Sequence, residues 1–375
     1  MAPTVAITKE TAQNEKRVAA TPETVKKICA LGCSVVIESG AGEGSHYLDD
    51  SYKEAGADIV SATADAIKKA DIVLKVQTQN PDEVKQMKSG ALLIGLMKPF
   101  ENKEIIETSK NQKIQALAME MVPRISRAQS MDALSSQSNL AGYKAVLDAT
   151  EYYSRAMPMM MTAAGTVAPA KVFVMGAGVA GLQAIATAKR LGAIVSATDV
   201  RPAAKEQVQS LGASFIAVED EEFKEAENAG GYAKEMSKEY QAKQAELVEK
   251  TIAKQDIVIT TALIPGRPAP KLINEKMIKS MKSGSVIVDM AAEAGGNVDG
   301  SKLGEVIQKD GVTIIGHDNI ASRLSTDASA LYAKNLLNLL NLIIKDGELA
   351  IDWDDEIIKG MAITKDGEII HPAFQ

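Results

Sequence analysis

The run Gly176-Ala177-Gly178-Val179-Ala180-Gly181 narrows what this chain can fold into more than any other. It stands directly after the apolar run Lys171-Val172-Phe173-Val174-Met175 and opens a helical pattern from Leu182 to Leu191. Strand, glycine turn and helix in that order form the phosphate-cradling start of a βαβ unit. Gly176 permits the tight turn, Gly178 lets backbone approach a pyrophosphate, and Gly181 allows close helix–sheet packing. The helix start at Val179 and Ala180 supplies free N–H groups and partial positive charge. The same fingerprint asks for an acidic residue about 20 positions on, at the end of the second strand. Asp199 follows Val195-Ser196-Ala197-Thr198 there. Its carboxylate suits ribose hydroxyls and repels a 2′-phosphate, so the pattern selects NAD(H) over NADP(H). Arg201, one residue beyond Val200, is the side chain placed to hold such a phosphate, but Asp199 occupies the deciding position.

Strand patterns recur at 171–175, 194–198, 214–218, 256–260, 285–289 and 312–316, enough for a complete nucleotide-binding domain. Earlier, strand patterns at 4–8, 34–38, 72–76 and 91–96 alternate with helical ones at 23–31 and 51–57, which means further βαβ units. The glycines of Ser39-Gly40-Ala41-Gly42-Glu43-Gly44 are not followed by an amphipathic helix and read as a loop. A charged insert at 219–247, interrupted by Ala229-Gly230-Gly231-Tyr232, reads as a mobile lid. After Asp327 one long helix runs to about Ile344, and two strand-like pieces, 360–364 and 368–371, flank the hairpin signal Asp366-Gly367.

The expected architecture is therefore α/β: two Rossmann-like parallel-sheet domains linked by long helices, with a cofactor cleft between them. Residues 1–134 plus 345–375 would form the first, and 135–344 the NAD-binding domain with linking helices near 135–154 and 325–344. A length of 375 residues suits two cores. A net charge of −7 without clustered Lys and Arg argues against a nucleic-acid partner. The start MAPTVAITKE lacks the pattern of a secretory signal, and the apolar stretch from Leu336 to Ile344 is too short for a membrane helix and carries Asn338 and Asn341. A cytoplasmic protein is expected. Cys29 and Cys33 fit neither a zinc nor a redox spacing and read as reduced structural thiols.

A dehydrogenase of alcohols or amines needs a general base near the nicotinamide, yet the chain has only His46, His317 and His371, of which His317 alone sits after a strand of the second sheet. The densest polar cluster outside the fingerprint runs from Pro123 to Asn139 and reads as a ligand loop. In it, Arg124 suits a phosphate or carboxylate, Asp132 suits Arg124, and Gln129 suits a carboxamide.

At this loop the chain resembles a known family. Met121-Val122-Pro123-Arg124-Ile125-Ser126-Arg127-Ala128-Gln129-Ser130-Met131-Asp132, followed by Ser135-Ser136-Gln137-Ser138-Asn139, is similar to domain I of the proton-translocating NAD(P) transhydrogenase alpha subunit. The resemblance continues through Met159 to Thr166, the fingerprint, Ala229 to Met236 and Thr260 to Gly266. It implies a peripheral, homodimeric NAD(H)-binding component on the inner face of the cell membrane. That component passes hydride from NADH to NADP on a partner component, and membrane-spanning subunits couple the transfer to proton translocation. It also implies that Arg124, Arg127, Gln129, Asp132 and Ser135 lie over the nicotinamide end, with Arg124, Gln129 and Asp132 serving the transfer. Asp199 then holds the adenosine ribose, Tyr232 tips a mobile loop, and Gly231, Gln244 and Leu263 add cofactor contacts. Direct hydride transfer between two nicotinamides generates no substrate proton, so a His-poor site suits it.

Alanine dehydrogenase shares the first-domain pattern, including Arg17-Val18-Ala19 and Leu74-Lys75-Val76, where Arg17 and Lys75 look like its substrate groups. Its catalytic His is missing where this chain reads Gly95-Leu96-Met97-Lys98-Pro99, and Glu293 stands at the place of its catalytic Asp. A regulatory NAD sensor without catalysis is the third reading.

Overall fold

A computed structural model describes residues 2–78, 80–224, 237–264 and 266–375. The chain divides into two compact units, residues 1–137 with 321–375, and residues 138–320.

In the first unit, β1 (Thr4–Ile7), β2 (Ser34–Glu38), β3 (Ala57–Val60), β4 (Ile72–Gln77), β5 (Leu92–Leu96) and β6 (Gln115–Ala118) run parallel. Side chains alternate across the strands and both faces are apolar, as a parallel sheet covered on both sides requires. Val5, Ile7 and Leu74 enter one core, while Ala6, Val73 and Leu93 enter another on the opposite face. Ile67, Val84 and Ile105, from three short helices, join the second.

The second unit carries, after the end of the helix Ala133–Tyr152, a two-stranded hairpin, β7 (Met160–Thr162) and β8 (Gly165–Val167). Its main sheet contains β9 (Lys171–Met175), β10 (Ile194–Thr198), β11 (Ser214–Phe215), β12 (Ile257–Thr260), β13 (Val286–Asp289), β14 (Val306–Lys309) and β15 (Val312–Ile315). The order across the sheet is β11-β10-β9-β12-β13-β15-β14, parallel except for β14. Chain direction across the sheet reverses between β9 and β12, and open α/β sheets place ligands beyond the strand ends at such a point.

The chain returns to the first unit at residue 321 and adds β16 (Ile344–Lys345), β17 (Glu348–Leu349), β18 (Ala362–Lys365) and β19 (Glu368–Ile369). β18 pairs antiparallel with β6, giving the sheet order β19-β18-β6-β5-β4-β1-β2-β3. Among the described residues three two-residue Asp-Gly turns close hairpins: Asp310-Gly311, Asp346-Gly347 and Asp366-Gly367, each with both residues at positive φ. That geometry matches the twist of the flanking strands and suits Asp-Gly.

Three sequence expectations need correction. Residues 51–57 are not one helix: the helix is Asp49–Glu54, Gly56 turns at φ +100°, and Ala57 opens β3. β14 was not anticipated, because its signal is the Asp-Gly turn rather than apolar alternation. The helix Ser325–Ile343 falls in the first unit rather than in 135–344, since Tyr332, Leu336, Leu339 and Leu340 are buried in the core that contains Val5 and Leu74. The helix Ala133–Tyr152 begins in the first unit and ends in the second.

Candidate functional site

The glycine turn connects β9 to the helix Val179–Arg190, whose N-cap is Gly178. No side chain caps that helix, so its first N–H groups have no side-chain acceptor, the arrangement in which a helix start favours an anion. Gly176 adopts φ +105°, and a Cβ there would lie 2.5 Å from Thr261 Oγ1, which donates to the Gly176 carbonyl at 3.0 Å. A Cβ on Gly181 would stand 1.8 Å from the same carbonyl. Gly178 has no atom within 4 Å of its Cβ direction, so its backbone face is open to a pyrophosphate. The turn is therefore closed on its packing side and open on its ligand side, which fits a dinucleotide. Gly142, on the helix from Ala133, supports it from behind: a Cβ there would meet the Ala180 carbonyl at 2.1 Å.

Asp199 follows β10 and folds back onto this turn. Its Oδ2 accepts from the Ala177 N–H at 2.7 Å and from Arg201 Nη2 at 3.1 Å. Its Oδ1 accepts from the Arg201 N–H and from Arg201 Nε, both at 2.9 Å. Nearby, Gln244 Nε2 donates to Thr198 Oγ1 at 3.2 Å while its Oε1 accepts from the Val218 N–H at 2.9 Å, tying the end of β10 to the segment that follows β11. Val179, Val200 and Leu263 are large apolar side chains left exposed at the carboxyl ends of β9, β10 and β12, where flat rings find a surface. Gly231 and Tyr232 lie outside the described residues.

Two further residues that sequence reasoning missed order the loops after β12 and β13. Asn297 donates through Nδ2 to the carbonyls of Ala262 and Pro270, and its Oδ1 accepts from the Ala262 N–H. Asp289, fully buried, accepts the backbone N–H groups of Ala291, Asn297 and Val298. Their only sequence signal was position, at and after the end of β13.

In the first unit, residues Ser126–Met131 form a 3₁₀ turn ahead of the helix Ala133–Tyr152. Asp132 caps that helix, accepting from the Ser135 N–H at 2.8 Å and from Ser135 Oγ at 2.5 Å, and no bond to Arg124 is formed. Arg124 and Gln129 are exposed. Arg127 makes a bidentate pair with Asp355, at 2.7 and 2.9 Å. Asn335 and Asn338, on the helix Ser325–Ile343, donate to the Ser130 carbonyl at 2.8 and 3.1 Å and pin the turn from below.

The ends of β1 and β4, where chain direction reverses in the first sheet, carry a buried ionic cluster. Arg17 forks onto Glu15 through Nε and Nη2, at 2.8 and 2.6 Å, and gives Nη1 to Gln137 at 2.8 Å. Lys75 Nζ donates to Thr8 Oγ1 and the Lys9 carbonyl, each at 2.9 Å, and lies 3.0 Å from Glu83. Burial is the largest influence on Glu10 and pushes its carboxyl up to about 7, against the charge of Lys75 and the N–H groups of Val76 and Gln77. Of the other expectations, the glycines at 42 and 44 serve packing, against the Tyr47 and Lys16 carbonyls. Cys29 and Cys33 are free thiols, and burial pushes that of Cys33 up to about 11. Among the described residues no group of His, Cys, Asp and Glu is arranged to hold a metal. No helix among them is long and apolar enough to cross a membrane.

Sheet order, glycine turn and acidic strand end define the class: a dinucleotide-binding α/β protein with two sheet units. Residues 6–141 match the model for the N-terminal domain of alanine dehydrogenase/PNT, and residues 145–372 the model for its C-terminal domain. Over 377 aligned residues the chain is 56% identical to the first of the chains that make up the NAD(P) transhydrogenase alpha subunit of Rhodospirillum rubrum, covering 99% of this chain and 98% of that one. A solved transhydrogenase structure from Sinorhizobium meliloti, 55% identical, superimposes with a TM-score of 0.89 and covers 98% of this chain and 99% of its own. Alanine dehydrogenase 1 of Staphylococcus aureus is 30% identical over 97% of this chain and 94% of its own. The chain belongs to the alanine dehydrogenase/PNT family and, within it, to the NAD(P) transhydrogenase alpha subunits.

Proposed function

We propose that this chain is the NAD(H)-binding component of a proton-translocating transhydrogenase, passing hydride between NADH and NADP held on a partner component. Bound NADH supplies the hydride. Gly176, Gly178 and Gly181 cradle the pyrophosphate at the helix start, and Asp199 takes the adenosine ribose. Val179, Val200 and Leu263 pack on the cofactor, with Arg201 and Gln244 beside them, and Gly231 and Tyr232 are further cofactor contacts by resemblance to the family. Arg124, Gln129, Asp132 and Ser135 order the nicotinamide end, Arg127 steadies that loop through Asp355, and Asn335 and Asn338 fix its height. In this reading the chain acts as a homodimer, peripheral on the inner face of the cell membrane through membrane-spanning partner subunits.

The observation that carries the proposal is the helix start at Gly178, uncapped and facing outward, with Asp199 bonded to the adjacent Ala177 N–H. A transfer between two nicotinamides asks for position and exclusion of water rather than for a proton acceptor. The loop from Arg124 to Ser135 is built that way, from a capped helix and a pinned 3₁₀ turn. Two steps test it. NADH absorbance is followed with pyruvate and ammonium after fluorescence has established that NADH is bound; no oxidation is expected. An NADP-loaded partner component is then added, and hydride transfer should begin. Steady oxidation in the first step would make the chain an alanine dehydrogenase instead.

A further inference from the structure

Asp199 has no acceptor capacity to spare. A carboxylate offers about four lone-pair positions, and four N–H groups take them: those of Ala177 and Arg201 from the backbone, and Nε and Nη2 from the Arg201 guanidinium. The Asp199 side chain is 7% exposed and that of Arg201 34%. A ribose diol needs two of those positions. The Ala177 N–H belongs to the phosphate turn, and the Arg201 N–H lies two residues along the chain, so neither can leave without moving backbone. The guanidinium sits on a flexible stem and can leave. Its Nη2 also donates to the Ala177 carbonyl at 3.3 Å, so the side chain bridges the acidic residue and the glycine turn.

We propose that Arg201 is a built-in competitor for the ribose-binding carboxylate and the residue that sets how strongly this chain discriminates between NADH and NADPH. This rests on the reading of Asp199 as the ribose ligand. Binding of NADH requires the guanidinium to surrender its two bonds to the diol, so the side chain opposes NADH. A 2′-phosphate makes no such demand. It meets a carboxylate whose charge the guanidinium offsets, and a cation within reach, so the same side chain favours NADPH. Removing it moves the two affinities in opposite directions, which neither a simple cofactor contact nor a purely structural arginine would do.

The test is a fluorescence titration of the whole chain and its Arg201→Met and Arg201→Lys variants with NADH and with NADPH, after thermal melts have shown each variant folded. An ion pair with one partner a third exposed is worth up to about 1 kcal/mol, so Arg201→Met should tighten NADH by up to ~5-fold and weaken NADPH by a similar factor. Arg201→Lys, which keeps the charge and loses the fork, should hold NADPH better than Arg201→Met does. Weakening of both cofactors by Arg201→Met would make Arg201 an ordinary contact and overturn the proposal. An unchanged NADH-to-NADPH ratio would overturn it equally while leaving the proposed function intact. Wild-type chain that binds neither cofactor would remove the proposed function and this inference together.

Discussion

Glu10 makes the stability of the first unit depend on pH in a direction opposite to that of most carboxylates. Its side chain is 2% exposed, accepts from the N–H groups of Val76 and Gln77 at 2.7 and 3.1 Å, and lies 3.8 Å from Lys75 Nζ. Burial outweighs those contacts and raises its pKa from 4.5 to about 7. A pKa higher in the folded chain means that folding favours the proton. The contribution is therefore complete below the unfolded value of 4.5 and lost as pH rises through about 7. A rise of that size corresponds to about 3 kcal/mol, at roughly 1.4 kcal/mol per pKa unit. The assay is direct, because the single tryptophan, Trp353, belongs to the first unit and packs against its core. Urea unfolding followed by its fluorescence from pH 5 to pH 8.5 should show the wild type losing stability with rising pH by more than Glu10→Gln does. The variant keeps only one of the two side-chain oxygens that accept the Val76 and Gln77 N–H groups, so its absolute stability is not the readout; the difference in pH slope is. Parallel slopes for the two chains would refute the reasoning.

Three further outcomes are expected. Asp199→Ala should weaken NADH binding by about 1 to 3 kcal/mol through loss of a charged acceptor, and an unchanged dissociation constant in a fluorescence titration would remove Asp199 from the site. Gly142→Ala places a methyl 2.1 Å from the Ala180 carbonyl; it should destabilise the second unit by about 1 to 3 kcal/mol and weaken NADH binding, although it lies outside the fingerprint. A melt and titration matching wild type would show that the helix slides freely there. Gln129→Ala should slow hydride transfer to an NADP-loaded partner about tenfold or more, with little change in NADH affinity, as a positioning group does. Equal losses in rate and affinity would reduce Gln129 to a binding contact.

The second sheet was legible because its strands are apolar runs that stop at residues of a different kind, as β9 does before Gly176 and β10 before Asp199. The Asp-Gly dipeptides were equally informative, yet only Asp366-Gly367 was read as a hairpin; Asp310-Gly311 and Asp346-Gly347 carry the same positive-φ pair. β3 was hidden because Ala57 and Asp58 carry no strand propensity and the strand lies at a sheet edge, where pairing rather than composition decides. Partners of the site residues were beyond reach for a different reason. Arg127 with Asp355 and Ser130 with Asn338 are separated by 228 and 208 positions, and no periodicity encodes a contact of that kind. Asn338 illustrates it: in the sequence it only interrupts an apolar stretch, whereas in the fold it fixes a loop. Sequence likewise placed Asp199 at the end of β10 without showing that Arg201 saturates it.

The first unit is split in the chain, and that has a consequence for synthesis. The helix Ser325–Ile343 and strands β18 and β19 leave the ribosome only after the whole of the second unit. Until then β6 has no outer neighbour, and the sheet face that contains Val5, Ile7 and Leu74 lacks Tyr332, Leu336 and Leu340. At about 5–20 residues per second the delay is roughly 10 to 40 s. The amino-terminal sheet is thus begun first and finished last, and a nascent chain arrested before residue 325 exposes an apolar surface that a holding chaperone, or another arrested copy, would cover.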